Sequence, residues 1–419
     1  MAVAMSRHHL SLLATDSSVD NLQVNLRDLL VLAVISAAVP MIVGLLRLKV
    51  AEVVLLLGFG ILAGPSGLDL ITYNATMETF NEVGLGLLFF LAGYELEQRA
   101  IRGESGRLAG IGWLTSYAIS LPVVYVLWEL EFVSDFMGVT IALTSTALGT
   151  LLPVIRDRGL IETRFGTLFM GAGAAGEFGP ILAIAVLLGT KSLGLSLLIL
   201  VAFAAIVALA YYAPMRFATD RVRDLLHRGH MTSSQTAVRW TVVLLLGLLV
   251  VASRFGLDAV LGAFLAGVIL HRYAPPGEGN QLIPKIEGLG FGFFIPLFFI
   301  ISGVNLDVAS IAEKPLRLVV FFVLLLAVRG LPQYLLYRHA LPETRERWQF
   351  VLYVATGLPI LVAITNLEMD AGVMRPENAA ALVGAGALSV LVFPLLGDWI
   401  NRVATARAAA EPLAAHEPD

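Results

Sequence analysis

The chain has no cysteine, and charged side chains make up only 14% of its 419 residues. The first absence excludes disulfides, iron–sulfur clusters and thiol catalysis. The second leaves about half the charge that a soluble domain carries. Histidine is scarce as well. His8, His9, His227, His230, His271, His339 and His416 all fall in tails or loops between apolar segments, so a haem or His-based metal site inside the membrane has no ligands and no cofactor is expected. The basic residues are scattered and the net charge is only −4, which argues against a nucleic-acid partner.

What fills the chain instead is hydrocarbon. Hydrophobic residues make up 58% of it, far more apolar surface than a soluble chain of this length could expose to water. The sequence reads as an all-α polytopic membrane protein in a lipid bilayer. A hydrocarbon core of about 30 Å needs roughly 20 apolar residues per helix. Apolar runs bounded by charges, Pro or Gly give thirteen transmembrane segments near 28–46, 50–71, 81–98, 108–128, 136–155, 165–189, 193–214, 240–253, 257–270, 287–309, 318–337, 349–367 and 378–399. Residues 1–27 lack the basic start and apolar stretch of a signal peptide and read as a tail; residues 401–419 form a second, short tail. With thirteen crossings, twenty of the 28 Lys and Arg fall on one side and seven on the other. Basic loops stay in the cytoplasm. The N-terminus is therefore expected outside and the C-terminus inside, in a cell membrane, with the bacterial inner membrane the expected place.

The remaining basic residue is Arg329, inside the eleventh segment, and Glu177 lies equally deep in the sixth. At 1.5 Å per residue both sit near the bilayer midplane, where a charge costs at least about 3 kcal/mol. An acid and a base at equal depth are expected to pair. A purely structural pair is one reading, but packed apolar side chains replace such a pair at little cost, which favours a functional one.

Around Glu177 the chain reads Gly171-Ala-Gly173-Ala-Ala-Gly176-Glu177-Phe-Gly179-Pro180. A Gly-x-Gly-x-x-Gly is formally present, yet no strand precedes it, so a dinucleotide loop does not fit. Gly173 and Gly176 allow close helix packing, and Pro180 is expected to free backbone carbonyls beside the acid. Two other segments are interrupted. The fifth holds Thr144-Ser145-Thr146, then Gly149 and Pro153; the twelfth holds Thr356-Gly357-Leu358-Pro359. Ordinary hydroxyl back-bonding explains either one alone. Their placement adds a second reading, since they are the fifth segments of two six-segment halves that an odd offset of seven inverts. Matched interrupted spans in inverted halves point to a midplane transport site.

The order and spacing of several stretches resemble the monovalent cation:proton antiporters, in the branch of the Kef and NapA-like sodium/hydrogen exchangers. They are Val54-Leu-Leu-Leu-Gly58 with Gly64-Pro-Ser-Gly-Leu68, Gly86-Leu-Leu-Phe-Phe-Leu-Ala-Gly-Tyr-Glu-Leu96, Ala142-Leu-Thr-Ser-Thr-Ala147 with Arg156-Asp-Arg-Gly-Leu160, Leu261-Gly-Ala-Phe-Leu-Ala-Gly-Val-Ile-Leu270, and Pro296-Leu-Phe-Phe299 with Gly303 and Leu306-Asp307. The resemblance covers roughly residues 28–400. It implies two inverted six-helix repeats with crossing broken helices, scaffold helices at 28–98 and 240–309, a mobile core at 108–189 and 318–399, a linker helix at 193–214, and a homodimer. The family's ion-binding carboxylate is the second residue of a polar–Asp pair, matched here by Glu177, with Gly176 at the first position. Both are departures. Arg329 matches a basic residue that faces the carboxylate.

These readings converge on exchange of Na⁺ or K⁺ against H⁺ at Glu177, one for one. The acid holds a proton or the monovalent cation, with Thr144, Ser145, Thr146 and freed carbonyls as further oxygens. Arg329 keeps its proton. No enzyme is expected, for want of an intramembrane His, Cys or acid pair. Two alternatives remain: proton-coupled transport of another solute on the same fold, and a non-transporting membrane sensor, for which neither tail offers a signalling domain.

Overall fold

The computed structural model describes residues 26–45, 51–71, 73–95, 103–188, 193–217, 235–257, 259–273 and 282–414. Among these the secondary structure is helical, and every one of the thirteen apolar segments overlaps a helix. The helices are α1 (Leu26–Leu45), α2 (Glu52–Ala63), α3 (Ala75–Tyr94), α4 (Gly103–Glu129), α5 (Phe136–Ala142), α6 (Leu148–Asp157), α7 (Arg164–Leu187), α8 (Leu193–Phe217), α9 (Thr236–Phe255) and α10 (Ala259–Tyr273). They continue as α11 (Leu282–Val304), α12 (Val308–Glu313), α13 (Pro315–Leu336), α14 (Thr344–Val354), α15 (Pro359–Asp370) and α16 (Pro376–Ala414). Among the described residues, nine spans are long and apolar enough to cross a bilayer, the interrupted α14–α15 pair counting as one of them. Of the expected tails, 1–27 and 401–419, residues 26–27 belong to α1 and 401–414 continue α16, while 1–25 and 415–419 lie outside the described residues.

The expected division between segments 240–253 and 257–270 is real. Gly256 takes a left-handed conformation at φ 70°, and its N–H and that of Leu257 return to the last turn of α9. Glycine favours that backbone because it has no Cβ. His271, expected in a loop, instead closes the last turn of α10, with Nδ1 2.6 Å from the Tyr94 carbonyl oxygen.

The helices fall into two compact units. One comprises residues up to 84 together with 291–306, where α2 packs on the second half of α11. The other comprises 85–290 with 307–419 and holds every residue of the candidate site. In this second unit α4 lies along α7, α14 along α16, and α15 reaches α5. Leu148, Leu151 and Ile155 of α6 pack with Phe165 and Phe169 of α7 and with Phe350 of α14. Phe165 meets Phe350 and Tyr353 edge-on, at 5.8 and 5.9 Å between ring centres. This cluster pins α6 between the helix bearing Glu177 and the second interrupted span.

Lipid is as apolar as a buried leucine, so helix association rests on close packing rather than on escape from water. The α3–α10 contact illustrates it. A methyl group built on Gly93 would sit 3.1 Å from Phe264 Cα and closer still to its carbonyl, while Gly267 meets the Phe90 backbone in the same way. Gly93→Val should therefore destabilise the fold by about 1–3 kcal/mol, the usual penalty of overpacking. Gly58→Val, where a methyl finds nothing within 4 Å, should not. Melting temperatures of the two purified variants check this, and equal stability would show that the contact is not tight.

Candidate functional site

Two helices break at the same place. The first interrupted span runs α5, then residues 143–147, then α6; the second runs α14, then 355–358, then α15. The unwound stretches touch. Ala147 N–H donates to the Thr356 carbonyl at 2.7 Å, and the Thr146 hydroxyl donates to the Val354 carbonyl at 2.7 Å. A methyl on Gly357 would lie 2.9 Å from Ser145 Oγ. Gly357 itself exchanges hydrogen bonds with Ser389 of α16, its N–H donating to Oγ at 3.1 Å and its carbonyl accepting from it at 3.2 Å. Pro359 opens α15, where its missing N–H has no helical partner to lose.

Glu177 reaches this crossing from α7. Its Oε1 accepts the Leu148 N–H at 2.9 Å and, more distantly, the Gly149 N–H at 3.4 Å. These are the first amides of α6, whose unpaired N–H groups and dipole favour a negative charge. Oε2 has no protein partner among the described residues. One carboxylate oxygen is thus anchored and the other left for a proton or a cation, although the side chain is only 5% exposed. Gly149 leaves open space beside α6, with nothing within 4 Å of where its Cβ would be. Pro153 continues α6, its side chain outside the described atoms.

The expected direct pairing of Glu177 with Arg329 is not found. Among the described residues Arg329 donates from Nε to Thr146 Oγ1 at 2.9 Å and from Nη2 to the Ala172 carbonyl at 2.8 Å, and no ion pair joins it to the acid. The two charges flank the segment Thr146–Leu148 from opposite ends of a hydrogen-bonded chain. Arg329 lies in a π-helical stretch, Leu325–Gly330, ahead of Pro332. Such wide turns recur at functional sites.

Thr144 and Ser145 also differ from the ligand reading. Their hydroxyls donate to Ile141 and Ala142, at 2.7 and 2.8 Å, as ordinary back-bonding within the first half-helix. Of the three hydroxyls only Thr146 reaches beyond its own segment, binding Val354 and Arg329.

The glycines act by absence of volume. A Cβ on Gly176 would sit 2.6 Å from Thr146 Cβ and 2.7 Å from Arg329 Nη2; one on Gly173 would meet the Leu148 side chain at 2.7 Å. Pro180 lies inside α7 and lacks the N–H that would bond to the carbonyl four residues back, Gly176. That carbonyl accepts the Thr146 N–H instead, at 3.0 Å. Sequence reasoning foresaw a freed carbonyl but not its partner. It missed Leu148, Ala172 and Val354 altogether, because they act through backbone atoms. Ser389 and the buried Gln333, which bonds the Gly112 carbonyl at 3.0 Å and Ser116 Oγ at 3.2 Å, were missed as well. Pro332, one residue before Gln333, was an available signal.

A many-spanning helical membrane protein, with a buried acid at the crossing of two interrupted helices, belongs to the secondary-transporter class of folds. The chain is a member of the sodium/hydrogen exchanger family, whose transmembrane domain matches residues 30–400. It is similar to KefC, the glutathione-regulated potassium-efflux system protein of Escherichia coli (strain K12), at 29% identity over 370 residues, 85% of this chain and 58% of KefC. Its similarity to YjbQ of Bacillus subtilis (strain 168) is 22% over 394 residues, 88% of this chain and 62% of YjbQ. The chain therefore spans less than two thirds of either curated relative. The fold matches the sodium proton antiporter MjNhaP1 from Methanocaldococcus jannaschii at pH 8, with a TM-score of 0.61 and 16% identity, covering 90% of this chain and 97% of that one.

Gly176→Ala tests the packing of the site. The added methyl must displace Thr146 or the guanidinium, so stability should fall by about 1–3 kcal/mol, while Gly149→Ala, which fills open space, should leave it unchanged. Thermal unfolding in detergent reads the difference, and a neutral Gly176→Ala would mean that Arg329 does not occupy that space.

Proposed function

We propose that the chain exchanges Na⁺ or K⁺ against H⁺ across the membrane, one for one, with Glu177 as the group that holds either ion. It is a transporter rather than an enzyme. The observation that carries this reading is the Glu177 carboxylate at the crossing, with Oε1 tied to the first amides of α6 and Oε2 unpartnered. A proton or a monovalent cation satisfies that second oxygen, and not both at once, which makes the exchange obligatory. Thr356 and Val354 carbonyls are already engaged with residues 146 and 147, so further cation oxygens come from groups that open as the site moves, Thr144 and Ser145 among them.

Arg329 serves here as a fixed positive charge that holds Thr146 and the Ala172 carbonyl in place. It steadies the crossing whichever ion Glu177 carries. The mobile core is residues 108–189 and 318–399, working against a scaffold of 28–98 and 240–309 with 193–214 as linker, in a homodimer. Its movement gives each side of the membrane access in turn. The N-terminus lies outside and the C-terminus in the cytoplasm of a bacterial inner membrane, on the strength of the Lys and Arg distribution. A second reading, proton-coupled movement of another solute, is favoured by Gly176, which brings no side-chain ligand to the first motif position.

The test is proteoliposomes with an interior pH dye and an imposed proton gradient, to which Na⁺, K⁺ or Li⁺ is added in turn. Cation-dependent proton movement is expected from the wild type and should be abolished in Glu177→Gln, which folds but cannot titrate. Proton flux that needs none of these cations would favour the other solute; exchange retained in Glu177→Gln would place the site elsewhere.

A further inference from the structure

A pair of acids lies away from Glu177. Asp135 stands at the N-cap of α5, its Oδ1 accepting the Gly138 N–H at 2.7 Å. Glu368 is in the last turn of α15. Both side chains are buried, at 2% and 5% exposure, and the two come together at Gly138. Gly138 fits between them: a methyl there would strike Asp135 Oδ2 and lie 3.0 Å from Glu368 Cγ. Asp135 Oδ2 has no donor, being fully enclosed and without a protein N–H or O–H. Two ionised carboxylates buried this close repel and have no hydrogen to share, whereas one proton lets each satisfy the other.

The helices around the pair are α4, α5, α7, α15 and α16. Among the described residues, no lysine, arginine or histidine from any of them bonds either carboxyl. The groups that face Asp135 are the Gly138 and Met137 amides and Glu368, and the group that faces Glu368 is Asp135. A buried acid pair without a basic partner holds one proton in place of the counter-charge.

We propose that Asp135 and Glu368 form a second proton-binding site, which clasps the far ends of the two interrupted spans by sharing one proton. Asp135 caps the half-helix that leads into the unwound stretch 143–147, and Glu368 ends the half-helix that leaves 355–358. Loss of the proton puts two negative charges against each other and drives α5 from α15, loosening the crossing where Glu177 sits. The Lys and Arg distribution puts this end of the bundle outside, so the clasp reads external pH and sets when exchange runs, without itself carrying the ion.

The sign of the effect follows from burial, which holds the Asp135 carboxyl above the ordinary carboxylate range. The folded protein then binds more protons than the unfolded chain, so stability falls as pH rises from about 4 through release of the shared proton. The experiment is the melting temperature of the full-length protein in nanodiscs across pH 4–9, for wild type, Asp135→Asn and Glu368→Gln. Asparagine still caps a helix, and in either variant an amide N–H replaces the shared proton at every pH. The expected result is a wild-type melting temperature that drops with rising pH and a drop that disappears in both variants. Infrared difference spectra in a Glu177→Gln background should show a protonated-carboxyl band lost on alkalisation, and that band should be absent when Glu368→Gln is added. Parallel pH profiles in all three proteins, or a band unchanged by Glu368→Gln, would overturn the proposal. Neither readout needs transport, so the clasp and the exchange at Glu177 stand or fall separately.

Discussion

The crossing of the two interrupted spans depends on one requirement: in hydrocarbon every backbone N–H and C=O must find a partner within the protein. Breaking two helices at the same depth creates many orphans, each costing several kcal/mol if left unpaired. The chain resolves them mutually. Thr144 and Ser145 N–H turn back into α5, Thr146 N–H goes to Gly176, Ala147 N–H to Thr356, and Leu148 N–H to Glu177. On the second strand Thr356 N–H returns to Tyr353 and Gly357 N–H goes to Ser389. The carboxylate of Glu177 is therefore part of the backbone accounting. It satisfies the N-terminus of α6 as much as the helix satisfies it, which is why an acid is tolerated there at all.

The same requirement orders the charges. Arg329 and Glu177 would each be expensive alone, and the simplest expectation is that they meet. Instead each is bound to the crossing by a different device, the guanidinium through the Thr146 hydroxyl and the Ala172 carbonyl, the carboxylate through amides. A directly bonded pair would compete with any arriving cation for the same oxygen. With the Thr146–Leu148 segment between them, Oε2 stays unengaged.

Much of the architecture was legible because it rests on side-chain hydrophobicity and on Gly and Pro. Apolar run length located the helices, and the Thr-Ser-Thr and Thr-Gly-Leu-Pro stretches marked the two breaks. Pro180 even pointed to the Gly176 carbonyl, through the missing i to i−4 bond. What was not legible is what side-chain identity does not encode. Leu148, Ala172, Val354 and Thr356 contribute peptide groups, for which their residue types carry no signal. Arg329 and Glu177 were singled out by depth, and both are buried, but depth along a helix says nothing of azimuth, and the assumed contact between them failed on that ground. Asp135 and Glu368 carry no such signal, because each sits near a helix end, where water ordinarily solvates an acid, whereas the fold buries both.

Gly176 and Glu177 are better understood as one departure than as two. The resemblance implies a polar side chain followed by an aspartate. Here the volume beside position 176 is filled by Thr146 and the Arg329 guanidinium, so that any Cβ collides with both. The residue after it carries one more methylene than aspartate and ends on the amides of α6. Loss of a side chain at one position is matched by added reach at the next: the polar function of the missing group is taken by the Thr146–Arg329 bond, and the carboxylate finds its stabilising dipole in the half-helix. The site thus keeps a carboxylate at the crossing while changing which atoms surround it. Under the proposed exchange, cation preference would depend on the Thr146–Leu148 segment and the carbonyls that it can release, rather than on a neighbouring side chain at position 176.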